Sequence, residues 1–156
     1  MFQSELQMES IKLNAHAKMN LSLEVVGKRP DGYHEIVSLM QGIGLCDVVK
    51  IKKCPQNGTK YNLPHCTING HVVYLCTNEN TIPTDMSNLA IKGIAAMATS
   101  SDTLFPGMDL IVDIEKKLPV AAGIAGGSGN AAVTMLGLNA LAGYPMSLRE
   151  DRKSVV

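Results

Sequence analysis

Apolar and polar residues alternate without interruption over residues 11–25, IKLNAHAKMNLSLEV. Side chains of a β-strand point to opposite faces in turn, so a period of two predicts a strand that is buried on one face. The run exceeds the usual strand length, which predicts a bend or crossover inside it. A turn is predicted at Pro30-Asp31-Gly32, because proline presets φ and glycine permits positive φ.

The remaining pattern predicts further strands and two helices. The strands are expected at 35–43, 47–53, 61–68, 71–76 and 108–118, with turns at Gln56-Asn57-Gly58 and Ile68-Asn69-Gly70. Asn88 is placed to cap a helix over 89–98, in which Gly93 is the weak point. A second helix is predicted over 130–143; it is apolar nearly all round and should be buried, with Gly143 and Pro145 ending it. This order of elements predicts an α+β fold.

Composition narrows the class of protein. The chain has 156 residues, 46% of them hydrophobic and 18% charged, which suits a single globular domain. Lys and Arg together number 14, as do Asp and Glu, so the charge balance predicts neither a nucleic-acid nor a membrane partner. Its longest apolar stretches are well short of the roughly 20 residues of a bilayer-spanning helix, and its polar N-terminus lacks a signal-peptide pattern.

Cysteine usage points to a reducing compartment. None of the four cysteines has C-x-x-C spacing, and the absence of a secretion signal favours reduced thiols in a cytoplasmic protein. Cys66, His71 and Cys76, with His65, could be imagined as zinc ligands, but their spacing matches no structural zinc pattern.

The segment 116–143, KKLPVAAGIAGGSGNAAVTMLGLNALAG, places four glycines and a serine just before a helix. The first amides of a helix have no internal partner and carry partial positive charge, and glycines let the backbone close around an anion such as phosphate. No Gly-Lys-Ser/Thr follows, and G-x-G-x-x-G is absent, so this is neither a Walker nor a dinucleotide loop. On the loop alone, phosphate binding and a turn for close helix–strand packing remain equal alternatives.

Two segments together carry a family resemblance. AKMNLSLEVVGKRPDGYHEIVSLMQ (17–41) and KKLPVAAGIAGGSGNAA (116–132) resemble the two signature regions of the 4-diphosphocytidyl-2-C-methyl-D-erythritol kinases. These kinases belong to the galactokinase, homoserine kinase, mevalonate kinase and phosphomevalonate kinase superfamily. PTDMSNLAIKG (83–93) is similar to a third family segment, and the resemblance runs from about residue 10 to about residue 148.

The resemblance implies an ATP-dependent, Mg²⁺-requiring cytoplasmic enzyme of isoprenoid biosynthesis. It would transfer the γ-phosphate of ATP to the 2-hydroxyl of a cytidine diphosphate-linked substrate. The implied fold is the N-terminal domain of the superfamily, which resembles domain 2 of ribosomal protein S5, over residues 10–148. Homoserine or mevalonate kinase activity is the alternative within the superfamily, and an Arg-Pro-Asp-Gly-Tyr-His run disfavours both.

The resemblance also assigns roles to residues. Lys18 matches the active-site lysine, Asn20 lies two positions along the same polar face, and Tyr33 with His34 matches the pair that holds the cytosine. Asn88 matches a position near the adenine. The ATP phosphate loop corresponds to Pro119, Ala121, Ala122, Gly123, Ile124, Ala125, Gly126, Gly127, Ser128 and Gly129. Ser128 is also the candidate Mg²⁺ ligand. Without the motifs, Lys18 would be read as a solvated charge, Tyr33 and His34 as packing residues, and Asn88 as a helix cap.

The loop departs from the family pattern. Ala125 stands where glycine is usual, Gly129 where a second serine is usual, and His16 where proline is usual. An alanine held at positive φ costs on the order of 1 kcal/mol, so nucleotide affinity is expected to be weaker than in typical members.

The end of the chain departs further. Residues 149–156 are expected to be a divergent tail, and the family's catalytic aspartate and C-terminal domain do not follow in this sequence. The sequence therefore predicts a truncated member with little kinase activity of its own, or an inactive nucleotide-binding fragment or subunit. Apolar surface normally covered by the second domain would then favour self-association.

Overall fold

The computed structural model describes residues 9–56, 61–100, 106–120 and 123–143. Over these residues the chain forms five strands and two helices. Their bounds are β1 Ser10–Lys28, β2 His34–Pro55, β3 His65–Ile68, β4 His71–Thr77, α1 Leu89–Ser100, β5 Met108–Glu115 and α2 Gly126–Leu141.

The strands form a single mixed sheet in the order β1-β2-β5-β4-β3. All neighbouring pairs are antiparallel except β4 and β5, which are parallel and are connected through α1. The chain therefore contains one β-α-β crossover beside antiparallel hairpins, and the predicted α+β class is confirmed.

Strand β1 confirms the alternation and the predicted irregularity. Its register with β2 shifts between His16 and Lys18, between Asn20 and Ser22, and between Val25 and Gly27. Such bulges bend a strand and increase its twist, which lets one unbroken alternating run serve as a very long strand.

Several predicted boundaries were wrong. The strands expected at 35–43 and 47–53 are one strand: β2 pairs with β1 at Gly42 and again at Cys46, and it continues through Gly44 at the register shift between them. The strand expected at 108–118 ends at Glu115. The strand expected at 61–68 begins only at His65. Helix α2 begins at Gly126, within the glycine loop, and not at Asn130. The predicted Asn57-Gly58 turn, Pro145 and the tail 149–156 lie outside the described residues.

The core lies between the sheet and the helix layer. One face of β2, β4 and β5 contributes fully buried side chains such as Ile51, Leu75 and Leu110, and these form a single cluster with residues of both helices. Glycines allow the close approach: a Cβ at Gly137 of α2 would lie 2.8 Å from Ile51. From Asn130 onwards most of helix α2 is buried, as its apolar pattern predicted, but Ala132, Val133 and Ala140 are only partly buried and Leu136 is exposed.

Strands β1 and β2 extend beyond the rest of the sheet as a two-stranded ribbon, residues 19–45. Strand β5 pairs with β2 only from Val48 to Pro55, so no third strand pairs with the ribbon among the residues that the structure describes. Many of its large apolar side chains are exposed: Met19, Leu21, Leu23, Val25, Val26, Ile36, Val37, Leu39, Met40 and Leu45.

Two further observations concern the whole described chain. All four cysteines are free thiols, and burial is the main cause that raises the pKa of Cys54, Cys66 and Cys76. Among the described residues, neither helix has the length and apolar character that crossing a membrane requires.

Candidate functional site: a cavity at the start of helix α2

A cavity of about 370 Å³ lies between the segment that leads into α1 and the loop that leads into α2. This size is within the range of small-molecule sites. Its lining comes from the segment that leads into α1, the end of β5 and the residue that follows it by one position, and the loop with the first residues of α2. The lining residues are Ile82, Pro83, Ser87, Asn88, Leu89, Ile114, Lys116, Pro119, Val120, Gly123, Ile124, Ala125, Gly126, Gly127, Ser128 and Asn130.

The loop before α2 has the geometry of an anion site. Gly123 has φ 69° and Ala125 has φ 63°, so the backbone turns twice through the left-handed region before the helix begins. The N-cap is Ala125, which makes no side-chain hydrogen bond to the helix. No side chain therefore caps the first turn, and the start of the helix, with its partial positive charge, borders the cavity.

The helical glycines are explained by close neighbours. A Cβ at Gly126 would lie 3.1 Å from Nζ of Lys116, and a Cβ at Gly127 would lie 3.3 Å from Leu89. At Gly129 the nearest atom, the backbone oxygen of His16, is at an ordinary 3.6 Å. The loop thus approaches a buried ammonium group and the first residue of α1 in ways that larger residues would disturb.

Lys18 lies beside this loop. Its backbone amide donates a hydrogen bond of 3.2 Å to the carbonyl of Ile124, and its Nζ donates to Oδ1 of Asn20 at 3.1 Å. The bulges in β1 put Lys18 at a point where the strand pairs with the loop as well as with β2. The structure therefore brings together the predicted lysine, Asn20 and the glycine loop.

Tyr33 and His34 are not brought to the same place. His34 pairs with Lys28, ten residues along β1 from Lys18, and Tyr33 is 74% exposed at the end of the ribbon. At about 3.3 Å per residue, the pair lies roughly 30 Å along the strand from Lys18, less whatever the bulges take up. The expectation that the pair lines a wall of the same crevice is not met in this structure.

Asn88 both caps helix α1 and lines the cavity. Its Oδ1 accepts a hydrogen bond of 2.9 Å from the amide of Ala90, which confirms the predicted helix cap, and its Nδ2 donates to the carbonyl of Pro83 at 2.7 Å. The same residue lines the cavity. The cap fixes the start of α1, and so fixes this wall of the cavity.

Sequence reasoning missed a buried ion pair under the loop. Asp47 is 0% exposed and forms an ion pair with Lys116, whose side chain is 6% exposed. Burial raises the pKa of the Asp47 carboxyl, but hydrogen bonds from Lys116, Leu118, Lys117 and Asn130 outweigh it and lower the pKa below its ordinary value. The available signal was a single carboxylate inside the apolar run Leu45-Cys46-Asp47-Val48-Val49.

Comparisons with known proteins agree with this geometry. Residues 88–153 match the family model described as the GHMP kinases N terminal domain. A crystal structure of 4-(cytidine 5'-diphospho)-2C-methyl-D-erythritol kinase superposes with a TM-score of 0.67 at 25% identity, covering 94% of this chain and 46% of that one. Over residues 88–153 the chain is therefore similar to the GHMP kinases.

Curated relatives are similar to most of this chain. The 4-diphosphocytidyl-2-C-methyl-D-erythritol kinase of Trichormus variabilis is 42% identical over 137 residues, covering 86% of this chain and 38% of the relative. That of Lachnoclostridium phytofermentans is 39% identical, covering 94% of this chain and 44% of the relative. The chain thus spans about two fifths of the length of these relatives.

The structure places the other predicted loop residues as follows. Pro119, Gly123, Ile124, Gly126, Gly127 and Ser128 line the cavity, whereas Gly129 does not and instead bonds its amide to the carbonyl of Ala125 at 2.7 Å. Ala121 and Ala122 lie outside the described residues.

Ala125 allows a direct test of loop strain. Its φ of 63° is the left-handed conformation in which a Cβ is disfavoured, so we expect Ala125→Gly to raise the free energy of unfolding by about 1 kcal/mol. Urea unfolding measures the change. The control is Ala132→Gly inside α2, where the same exchange should instead destabilise by about 1 kcal/mol. Equal losses in both variants would contradict the strain.

Proposed function

We propose that this chain is the nucleotide-binding part of a kinase that transfers the γ-phosphate of ATP to the 2-hydroxyl of 4-diphosphocytidyl-2-C-methyl-D-erythritol, in the cytoplasm. The observation that carries the proposal is the hydrogen bond from the backbone amide of Lys18 to the carbonyl of Ile124, which joins the strand segment that bears the candidate cation to the glycine loop. A positive charge beside unpaired helix amides is what a transferred phosphoryl group requires. The free thiols are compatible with a reducing compartment.

In this proposal the cavity holds ATP. The loop amides at the start of α2 bind the phosphates, Asn88 lies at the adenine end, and Lys18 steadies the charge that develops on the transferred group or the attacking oxygen. Asn20, which receives a hydrogen bond from Lys18, orients that ammonium group. The roles of Asn88 and the loop residues follow from their positions around the cavity, and that of Lys18 follows from the attachment of its backbone to the loop.

The oxygens near the loop suit Mg²⁺. Ser128 offers a hydroxyl at the cavity, and Oδ1 of Asn130 is a buried oxygen that accepts no hydrogen bond among the described residues. Magnesium prefers oxygen ligands and is usually bound with substrate phosphates. When bound, it would neutralise charge on the phosphate oxygens, and Ser128 is the residue proposed to hold it.

The cytidine end of the substrate is assigned to Tyr33 and His34. The assignment comes from the family resemblance: the pyrimidine and the reacting hydroxyl are at opposite ends of this substrate, but the distance along the strand between the pair and Lys18 exceeds the length of such a molecule. An exposed aromatic ring is suited to stacking on a base, and a neighbouring imidazole can hydrogen-bond to its edge. The main alternative is a nucleotide-binding domain that binds ATP without turning over a substrate.

Ligand titration tests the proposal. The wild-type chain should bind ATP and CDP, and Tyr33→Ala should weaken CDP binding about tenfold through lost stacking without changing ATP binding. Tyr33→Phe keeps the ring and should bind CDP like the wild type. Calorimetry measures the affinities of the wild type and of both Tyr33 variants for ATP and CDP. A chain that binds neither nucleotide contradicts the proposal.

A turnover assay distinguishes an active kinase from a domain that binds nucleotide without turning over a substrate. The sequence predicts little kinase activity, so ADP release with ATP, Mg²⁺ and the cytidine substrate should be near background. Ordinary kinase turnover, lost in Lys18→Met but not in Lys117→Met, would establish the enzyme and overturn the expectation of low activity. Binding without turnover supports the nucleotide-binding domain.

We further propose that the ribbon mediates self-association. Its exposed apolar side chains and unpaired strand edges are features that pair with another chain. Light scattering should detect oligomers of the wild type, and Val37→Lys with Leu39→Lys, two residues on one face of β2, should shift the protein towards monomer. A monomeric wild type at high concentration would refute this.

A further inference from the structure

Asp47 ties together three segments at the base of the phosphate loop. It lies on β2 opposite Ala15 of β1, at the point where the pairing of β2 with β5 begins. Its Oδ1 accepts hydrogen bonds from the amides of Lys117 at 2.7 Å and Leu118 at 2.8 Å, and its Oδ2 accepts from Nζ of Lys116. Asn130, in the first turns of α2, adds a fourth hydrogen bond.

The resulting cluster, Asp47, Lys116 and Asn130, stands directly behind the loop. Nζ of Lys116 is 3.1 Å from the position that a Cβ on Gly126 would occupy, and both Lys116 and Asn130 line the cavity. All three side chains are more than nine-tenths buried. Oδ1 of Asn130 is the one buried side-chain oxygen or nitrogen of the described residues that lacks a partner.

This arrangement places a fixed positive charge next to the start of α2. An ammonium group excluded from water acts strongly on a nearby anion, because little solvent screens it. The two lysines that follow β5 therefore differ in kind: Lys117 is 55% exposed and pairs with Glu115 at the surface. The ammonium group of Lys116, paired with Asp47, lies instead at the start of α2: Nζ of Lys116 is 3.1 Å and Oδ2 of Asp47 is 3.8 Å from the position of a Cβ on Gly126.

We propose that Lys116 is a phosphate-binding residue of the loop and that Asp47 is the residue that positions it. This deepens the proposed nucleotide site and rests on it. Asp47 holds the ammonium group and the two amides at 117 and 118 in one geometry before the ligand arrives. The ligand class is a polyphosphate nucleotide, whose phosphate oxygens receive the charge of Lys116 in addition to the loop amides.

The test compares ADP with adenosine as calorimetric probes, since only ADP carries phosphates. The key variant is the double substitution Asp47→Asn with Lys116→Met, which removes both charges and keeps an oxygen for the two amides. If the Asp47–Lys116 pair has only a structural role, the double variant should bind both ADP and adenosine like the wild type. A phosphate-binding Lys116 predicts an ADP affinity lower by about tenfold or more, with adenosine affinity changed less than twofold.

Lys117→Met is the matched control, because it removes a neighbouring positive charge without touching the cluster; it should retain ADP affinity. Urea unfolding verifies that each variant is folded. If the double variant does not fold, Lys116→Gln replaces it, since glutamine can still donate to Asp47 but carries no charge, and the same selective loss of ADP is expected. Unchanged ADP affinity overturns the inference while the nucleotide site stands. Failure of the wild type to bind ADP overturns both.

Discussion

Replacing Asp47 with alanine is expected to lower the free energy of unfolding by about 3–5 kcal/mol. The substitution would leave the ammonium group of Lys116 buried without a counter-charge, which is the most destabilising way to break a buried pair. It would also leave the amides of Lys117 and Leu118 without their acceptor. Urea unfolding at neutral pH measures the loss.

The matched control is Asp113→Ala. Asp113 also pairs with a lysine, Lys50, at 3.4 Å, but its side chain is 41% exposed. Solvent screens this pair, so its loss should cost less than about 1 kcal/mol. Similar losses at both positions would show that the buried Asp47 pair contributes no more to the free energy of unfolding than the exposed Asp113 pair.

The same comparison predicts a pH dependence. The folded-state pKa of Asp47 is lowered from its ordinary value of 3.8, so its contribution to stability is complete above that value and is lost as pH falls through the lower folded pKa. Between pH 5 and pH 2, the unfolding free energy of the wild type should therefore fall more steeply than that of Asp47→Asn. Parallel pH profiles would contradict the lowered pKa.

The second large effect is expected at the helix–helix contact that holds the two walls of the cavity together. Met135 of α2 is 1% exposed, and a Cβ on Gly93 of α1 would lie 3.0 Å from its Cγ and 3.1 Å from its Sδ. Met135→Ala would leave a cavity here and should cost about 2–5 kcal/mol. Met135→Leu nearly conserves volume and should cost less than about 1.5 kcal/mol.

A double-mutant cycle sharpens this prediction. In the wild type, Gly93→Ala gains helix propensity but crowds Met135. In Met135→Ala the added methyl group enters vacated space, so Gly93→Ala should be more favourable there by about 1 kcal/mol or more. Urea unfolding of the four proteins gives the coupling. Additive effects would mean that the two residues do not share this contact.

Much of the fold could be predicted from local pattern. The alternation over residues 11–25 identified β1 and its irregularity, and Asn88 identified the start of α1. These features depend on neighbours along the chain, and a side-chain period or a cap is visible in sequence. The break expected in β2 was wrong. Gly42 and Gly44 are poor strand residues by local preference, but pairing with β1 at Gly42 and at Cys46, on either side of Gly44, keeps the strand continuous.

Within the site, the sequence by itself determined the glycine loop, Lys18 and the helix that follows. What only the tertiary structure decided is which distant groups meet there. The pairing of Lys18 with Ile124, and the ion pair of Asp47 and Lys116, join residues far apart in the chain, and the distance of Tyr33 from Lys18 follows from the length of an unsupported ribbon. Local pattern indicates how each segment prefers to fold. The ion pair beneath the loop is poorly screened only because packing excludes water from it.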